Sequence, residues 1–239
     1  MGEEAVPSAG PLQSAANKWS VLTCVLLGSF TVILNNSMLN VSIPSFMKLF
    51  HIGASEAQWV ITGFMLPMMI MMTISGYLSD VLGQKTAYIA GMLLFLAGSA
   101  FGAMAWSFHS IVGFRIVQGL GAGLVMPLGI TIIFHNFPER ERGLATGISG
   151  IASMAAPAVG PTLGGMVLQV SSWHTLFLLN IPTGVICLTA TLFCLKGRRL
   201  RVRVPFDRLG FAGIAVGMTC LMLGMNRLPQ GLGGTAPSR

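Results

Sequence analysis

The feature that constrains this chain most is a series of long segments without a charged residue. They lie at 19–47, 57–79, 86–114, 116–138, 143–195 and 209–226. A hydrocarbon core about 30 Å thick is crossed by roughly 20 apolar residues in a helix, so 143–195 is long enough for two crossings and each other segment for one. With 9% charged residues and a mean hydropathy of +0.75, against roughly 25% charged in soluble domains, a water-soluble enzyme is excluded.

The segments predict an all-α membrane protein, because the ten-residue alternation of membrane β-strands is missing from the sequence. We place seven spans near 20–43, 57–79, 86–107, 110–134, 144–168, 175–195 and 209–226. The expected organisation is a cytoplasmic tail (1–18), a six-span bundle (19–195), a basic cytoplasmic linker (196–208), a seventh span (209–226) and a tail or truncation remnant (227–239).

The basic residues orient the chain in the membrane. With the N-terminus inside, ten lysines and arginines fall on the cytoplasmic side, and Lys48 falls outside. The positive-inside rule therefore predicts a multi-pass protein of the cell membrane with a cytoplasmic N-terminus. The net charge of +7 does not indicate nucleic acid, because aromatic residues are not interleaved with the basic ones.

Arg115 lies inside the fourth span, where an arginine costs about 2.5–3.5 kcal/mol on insertion scales. Gln118, Gly119 and Ala122 follow at helical spacing and place a polar, small-sided face around the guanidinium. A functional role is the first interpretation. The alternative is an arginine that extends to the membrane interface.

The fifth span carries two adjacent stripes of small residues and prolines. One is a ladder of Ala152, Ala156, Gly160 and Gly164; the other consists of Pro157, Pro161 and Gly165. Small faces allow close helix approach in lipid, and two prolines four residues apart favour a bend. The span is interpreted as a pivot or, alternatively, as a static packing face.

The first span has a polar middle. Asn36 and Asn40 share a face with Ser29, whereas Asn35 lies on a second face. Buried amides in a membrane either bind another helix or line a wet cavity, and both interpretations stay open.

A turn between the second and third spans contains Gly76, Asp80, Gly83 and Lys85. Gly83 suits a tight turn, and a carboxylate at a helix end can accept charge-assisted hydrogen bonds from an arginine across an interface. In isolation the same residues would be the solvated ends of a loop.

The sequence offers no enzyme site. Its four histidines, His51, His109, His135 and His174, lie near span ends without a metal-binding or nucleophile pattern. No metal or cofactor is expected. A seven-span receptor is opposed by the expected cytoplasmic N-terminus.

These motifs together resemble the major facilitator superfamily, and within it the fourteen-span drug:proton antiporters. Gly76 to Lys85 is similar to the family's loop signature, Ile111 to Gly123 to its helix-four signature, and Pro157 to Gly165 to the antiporter signature of helix five. Leu34 to Pro44 resembles the helix-one signature of that branch, and Trp173 to Gly184 its entry into helix six. Asn35 departs from the family, which usually has an aspartate there.

The resemblance implies a function. Two six-helix bundles would rock about a midplane site, exporting a small hydrophobic or cationic substrate by proton-coupled antiport, with the proton gradient as the energy source. Arg115, Gln118, Asn35, Asn36 and Asn40 would serve coupling and transport. Asp80 would latch onto the second bundle, and the helix-five ladder would face that bundle.

Seven spans are half of such a transporter, so this chain alone is not expected to transport. The missing half would lie in the same or a second chain; the alternatives are a non-transporting fragment, a membrane scaffold or regulator, and a dedicated metabolite exporter. An asparagine cannot titrate. Either the coupling carboxylate lies in other helices, or export is not driven by protons.

Overall fold

A computed structural model describes residues 15–195 and 206–232, which are almost entirely helical. The helices are α1 (Ala15–Phe50), α2 (Ala54–Ala57), α3 (Trp59–Leu82), α4 (Gln84–Gly102), α5 (Phe108–Asn136), α6 (Glu139–Val170), α7 (His174–Leu178), α8 (Asn180–Cys194) and α9 (Arg208–Leu232). Helices α1, α3, α4, α5, α6 and α8 are the first six predicted spans, and α9 is the seventh.

Six helical segments of the described ranges are long and apolar enough to cross a membrane. They are Lys18–Phe50, Ala54–Leu82, Gln84–Gly102, Phe108–Asn136, Glu139–Val170 and His174–Cys194. Helix α9 adds a shorter apolar stretch, Arg208–Met222. The prediction of an all-helical fold with six membrane helices is confirmed. The predicted seventh span is a helix, and its crossing of the membrane stays a prediction.

The helix ends differ from the expected spans. Helix α1 begins at Ala15 and runs through Pro44 to Phe50, beyond the expected end at 43. Helix α9 ends at Leu232 rather than at 226, so part of the expected tail is helical. Both differences arise because helices continue past the apolar window that identifies a span. Most of the expected N-terminal tail and linker, and the last seven residues, lie outside the described residues.

Helix α5 packs between α3 and α4 because glycines line its two sides. A Cβ at Gly119 would lie 2.3 Å from the Phe64 carbonyl oxygen of α3, and one at Gly121 would lie 2.5 Å from the Gly91 oxygen of α4. A larger side chain at either position would force the backbones apart. The sequence Gly119–Leu120–Gly121 therefore fixes the close approach of three helices.

The buried apolar residues of the described ranges form two clusters. The larger includes Phe64, Phe95 and Val125; the smaller includes Phe46, Val60 and Ile111. Phe64 and Val60 are one turn apart on α3 and belong to different clusters. The polar group described next contacts both residues, so it lies where the two apolar cores meet.

Candidate transport site

Arg115 is fully buried and holds three helices together. Its Nε donates to the Val60 carbonyl oxygen of α3 at 3.0 Å. One terminal nitrogen donates to Asn35 Oδ1 at 2.8 Å and Gln118 Oε1 at 3.2 Å, and the other donates to Asn36 Oδ1 at 3.0 Å. With 0% of Arg115 exposed, the alternative of an arginine reaching the membrane interface is wrong.

An aromatic ring and a second amide complete the Arg115 cluster. The guanidinium carbon lies 3.9 Å from the Phe64 ring centroid, a cation–π arrangement. Gln118 in turn donates from Nε2 to Ser99 Oγ at 2.7 Å, which extends the cluster to α4. Arg115 thus contacts α1, α3 and α5 directly, and α4 through Gln118.

Every oxygen that accepts from Arg115 is uncharged. Within residues 15–195 and 206–232 the two ion pairs are Lys18–Glu141 and Arg142–Glu139, and neither includes Arg115. A desolvated guanidinium bound by amides and a carbonyl keeps its positive charge uncompensated locally. In the described part of the chain, this cluster is a buried cationic centre.

The three asparagines in the middle of α1 occupy different environments. Asn35 is fully buried, Asn36 is half-buried, and Asn40 is exposed on the bundle surface. The structure therefore brings Asn35 and Asn36 to Arg115 and leaves Asn40 outside the cluster. For the first two, binding to another helix is the correct interpretation of the amides.

Asn35 satisfies Arg115 with its oxygen but leaves its own amide nitrogen unused. Its Nδ2 is buried and has no hydrogen-bond partner among the described residues. An unsatisfied buried donor costs about 1–3 kcal/mol. An aspartate, which the resemblance implies at this position, has no amide donor to satisfy, and its second oxygen can accept from a guanidinium N–H.

Changing Asn35 to Asp is therefore expected to stabilise the chain at neutral pH. The substitution removes the orphaned donor and gives Arg115 a carboxylate partner. We expect a gain of about 1–3 kcal/mol, which for a domain of this size is roughly 2–4 °C in Tm per kcal/mol. Thermal unfolding of the purified chain in detergent measures it. Asn40→Asp is the matched control. A Tm for Asn35→Asp equal to or below that of the unsubstituted chain would contradict the argument.

Sequence reasoning missed three members of the cluster, Val60, Phe64 and Ser99. Val60 contributes a backbone oxygen, which no side-chain pattern encodes. Phe64 and Ser99 look like ordinary residues of apolar helices. The one feature of the sequence that pointed to these contacts was Gly119, a small residue one turn from Arg115 that allows another helix to approach closely. In the structure that helix is α3, whose Phe64 backbone lies against Gly119.

The two stripes of α6 face different surroundings. Ala156, Gly160 and Gly164 are buried, and Cβ atoms at the two glycines would lie 2.4 Å from Ser37 Oγ and 3.0 Å from the Met38 oxygen of α1. The expectation that this ladder faces the second bundle is wrong, because α1 of the same bundle covers it. Pro157 and Pro161 are exposed, and a Cβ at Gly165 would meet nothing within 4 Å.

A hydrogen bond joins α1 to the proline stripe. Pro161 has no N–H, so the Pro157 carbonyl four residues earlier lacks its helical donor. Ser37 Oγ donates to that oxygen at 3.3 Å. Since Ser37 follows Asn36, the residue that satisfies the proline defect is adjacent to a ligand of Arg115.

The loop motif forms the turn between α3 and α4. Gly83 has φ 87° and ψ 144°, a left-handed region that favours glycine. Lys85 donates from Nζ to the Leu192 carbonyl oxygen near the end of α8 at 2.7 Å. Asp80 is half-buried and Gly76 exposed, and Asp80 forms no ion pair within the described ranges.

Comparison with known proteins decides the family. The model of the Major Facilitator Superfamily matches residues 25–213. The chain belongs to the major facilitator superfamily. The six membrane-length helices of the described ranges agree with a multi-pass membrane protein of that superfamily.

Relatives and solved structures within the superfamily differ in what they carry. The riboflavin transporter RibZ of Clostridioides difficile (strain 630) is 33% identical over 210 residues, 87% of this chain and 46% of RibZ. The putative multidrug resistance protein MdtD of Pectobacterium carotovorum is 30% identical over 215 residues, 90% of this chain and 46% of MdtD. The proton:xylose symporter XylE matches in fold with a TM-score of 0.70 at 15% identity, over 89% of this chain and 52% of XylE. The chain spans about half the length of these proteins.

Proposed function

We propose that this chain forms the N-terminal bundle of a secondary exporter that works by alternating access with a second six-helix bundle. The observation that carries the proposal is the Arg115 cluster. A buried cation costs energy in a membrane, and here four hydrogen bonds from three helices hold it at the junction of the two cores. We infer that the strength with which these groups hold the positive charge of Arg115 changes as the bundle moves, which would couple the charge to transport.

The second bundle is proposed to meet the exposed stripe of α6. Pro157, Pro161 and Gly165 present a narrow surface beside the ladder that α1 already covers. Asp80 at the end of α3 is proposed to latch the same partner on the cytoplasmic side. The uneven distribution of basic residues supports a cytoplasmic N-terminus in the cell membrane.

The proposed cargo is a small hydrophobic or cationic molecule, exported by proton antiport. The relative named as a multidrug resistance protein supports this substrate class. A dedicated metabolite exporter is the second candidate, favoured by the riboflavin transporter at similar identity. Because Asn35 cannot titrate and Arg115 has no acidic partner in the described ranges, the coupling carboxylate is proposed to lie in the second bundle.

Everted membrane vesicles containing the chain assembled with a second bundle test this function. We expect ethidium to accumulate on energisation and a protonophore to stop it, because antiport draws on the proton gradient. A proton-sensitive dye in the vesicle lumen should report proton loss when ethidium is added. Vesicles with the chain alone are the control. Ethidium uptake without proton movement would overturn antiport, and riboflavin uptake in its place would favour the metabolite exporter.

A further inference from the structure

A second site candidate lies at the opposite end of the bundle from the α3–α4 turn. A cavity of about 620 Å³ is lined by Phe50, Ile52, Glu56, Trp59, Phe108, His109 and Val112. These residues come from the end of α1, the connection to α2, the short helix α2 and the first turns of α3 and α5. Drug-sized ligands occupy pockets of about 300–1,000 Å³, so the cavity has the volume of a small-molecule site.

The cavity wall contains four aromatic rings, those of Phe50, Trp59 and Phe108 and the imidazole of His109. Phe50 and Phe108 pack together with ring centroids 6.0 Å apart and planes tilted by 58°. Trp59 remains 39% exposed. Aromatic faces carry negative quadrupole charge and attract organic cations, most strongly at tryptophan.

Glu56 adds a negative charge to that wall. Acidic residues of the described ranges are Glu56, Asp80, Glu139, Glu141 and Asp207. The last four lie near the α3–α4 turn or the starts of α6 and α9, at one end of the bundle; Glu56 lies at the other end. Its Oε2 accepts from the Gly53 backbone N–H at 3.3 Å, which holds the carboxylate at the start of α2. Glu56 forms no ion pair with a described residue.

The cavity also lies next to the buried cationic centre. Val112 precedes Arg115 by one turn of α5, about 4.5 Å along the axis, and Trp59 is followed by Val60, whose oxygen binds Arg115. Arg115 is fully buried and does not line the cavity, so a cation in the cavity meets Glu56 and the aromatic rings rather than the guanidinium.

We propose that this cavity binds an organic cation of the quaternary ammonium type, at a peripheral site separate from the Arg115 cluster. The cation could be a free solute or the headgroup of a choline lipid, which share the same recognition chemistry. The place of the site in an export route rests on the proposed function, but binding itself requires no transport.

Calorimetric titration of the full 239-residue chain in maltoside detergent tests the site. The probes are choline and its uncharged carbon analogue 3,3-dimethylbutan-1-ol. Choline is expected to bind at least tenfold more tightly. Glu56→Gln, which keeps the acceptor for Gly53, should weaken choline binding about tenfold or more, whereas Glu139→Gln at the other end should leave it unchanged. Trp59→Leu should weaken choline binding several-fold, and Trp59→Phe should restore most of it.

Nanodiscs distinguish the two sources of the cation. If a lipid headgroup fills the cavity, phosphatidylcholine discs should suppress choline binding relative to phosphatidylglycerol discs, and Glu56→Gln should remove that difference. Equal binding in both discs identifies a free solute. Equal binding of the two probes, an unchanged Glu56→Gln variant, or no choline binding would overturn the site. Choline binding by a chain that fails the vesicle assay would leave the site standing and reject the proposed exporter.

Discussion

Replacing Arg115 with alanine is expected to reduce export by a transporter containing this chain by at least about tenfold, equivalent to 1.4 kcal/mol. The substitution removes the donor to Val60, Asn35, Asn36 and Gln118. It also removes the buried charge from the junction of the two cores. Ethidium efflux from loaded cells measures the loss.

The Arg115 experiment needs controls that separate transport from folding. Arg115→Lys keeps the charge, but a compact ammonium cannot match the planar fork that reaches three helices. We expect this variant to lose most export while it remains abundant in the membrane. Arg142→Ala, at a half-buried arginine near the start of α6 and away from the Arg115 cluster, should export normally. Full export by Arg115→Ala at unchanged abundance would remove the cluster from the mechanism.

The helical framework could be predicted because lipid imposes one solution on long uncharged segments. Such segments must satisfy their backbone internally, so length and charge alone locate the helices. The sequence also predicted that Arg115 lies inside a membrane helix. A lone charge with more than 20 uncharged residues on either side must be buried in protein or reach the interface. The structure resolves that choice through contacts from α1 and α3.

The partners of a side chain were harder to predict than its burial. Asn35 and Asn36 are consecutive, so a helical wheel separates them by about 100°, yet both reach the same guanidinium. They do so because the planar guanidinium of arginine has N–H donors along several of its edges, so acceptors in different directions can bind it. Val60 binds Arg115 through its backbone oxygen. Phe64 contacts the guanidinium through its ring face, and Gly119 of α5 allows the close approach of the two helices there. None of these contacts has a period or motif of its own.

The direction of the α6 ladder could not be predicted either. Gly160 and Gly165 belong to neighbouring stripes that both consist of small residues or prolines. Small residues predict close packing, but they do not predict which helix packs against them. The structure assigns Gly160 to α1. Gly165 remains open, and this difference allows the two roles to be tested separately.

Gly160→Leu is expected to destabilise the chain by itself. A Cβ there would lie 2.4 Å from Ser37 Oγ and 2.5 Å from its Cβ, so α1 and α6 must separate. Overpacking of this kind costs about 1–3 kcal/mol or more, and roughly 2–4 °C in Tm for each kcal/mol. Separation also breaks the Ser37–Pro157 hydrogen bond and displaces Asn36 from Arg115. Thermal unfolding of the purified chain measures the effect.

Gly165→Leu provides the matched control, because it adds the same side chain to the same helix where a Cβ meets nothing within 4 Å. The gain in helix propensity, up to about 1 kcal/mol over glycine, is common to both variants and cancels in the comparison. We expect Gly165→Leu to leave the Tm of the chain unchanged or higher, yet to block export once the second bundle is present, because that surface is proposed to meet it. A fall in Tm equal to that of Gly160→Leu would show that both stripes pack within one bundle, and normal export by Gly165→Leu would show that the proline stripe faces lipid.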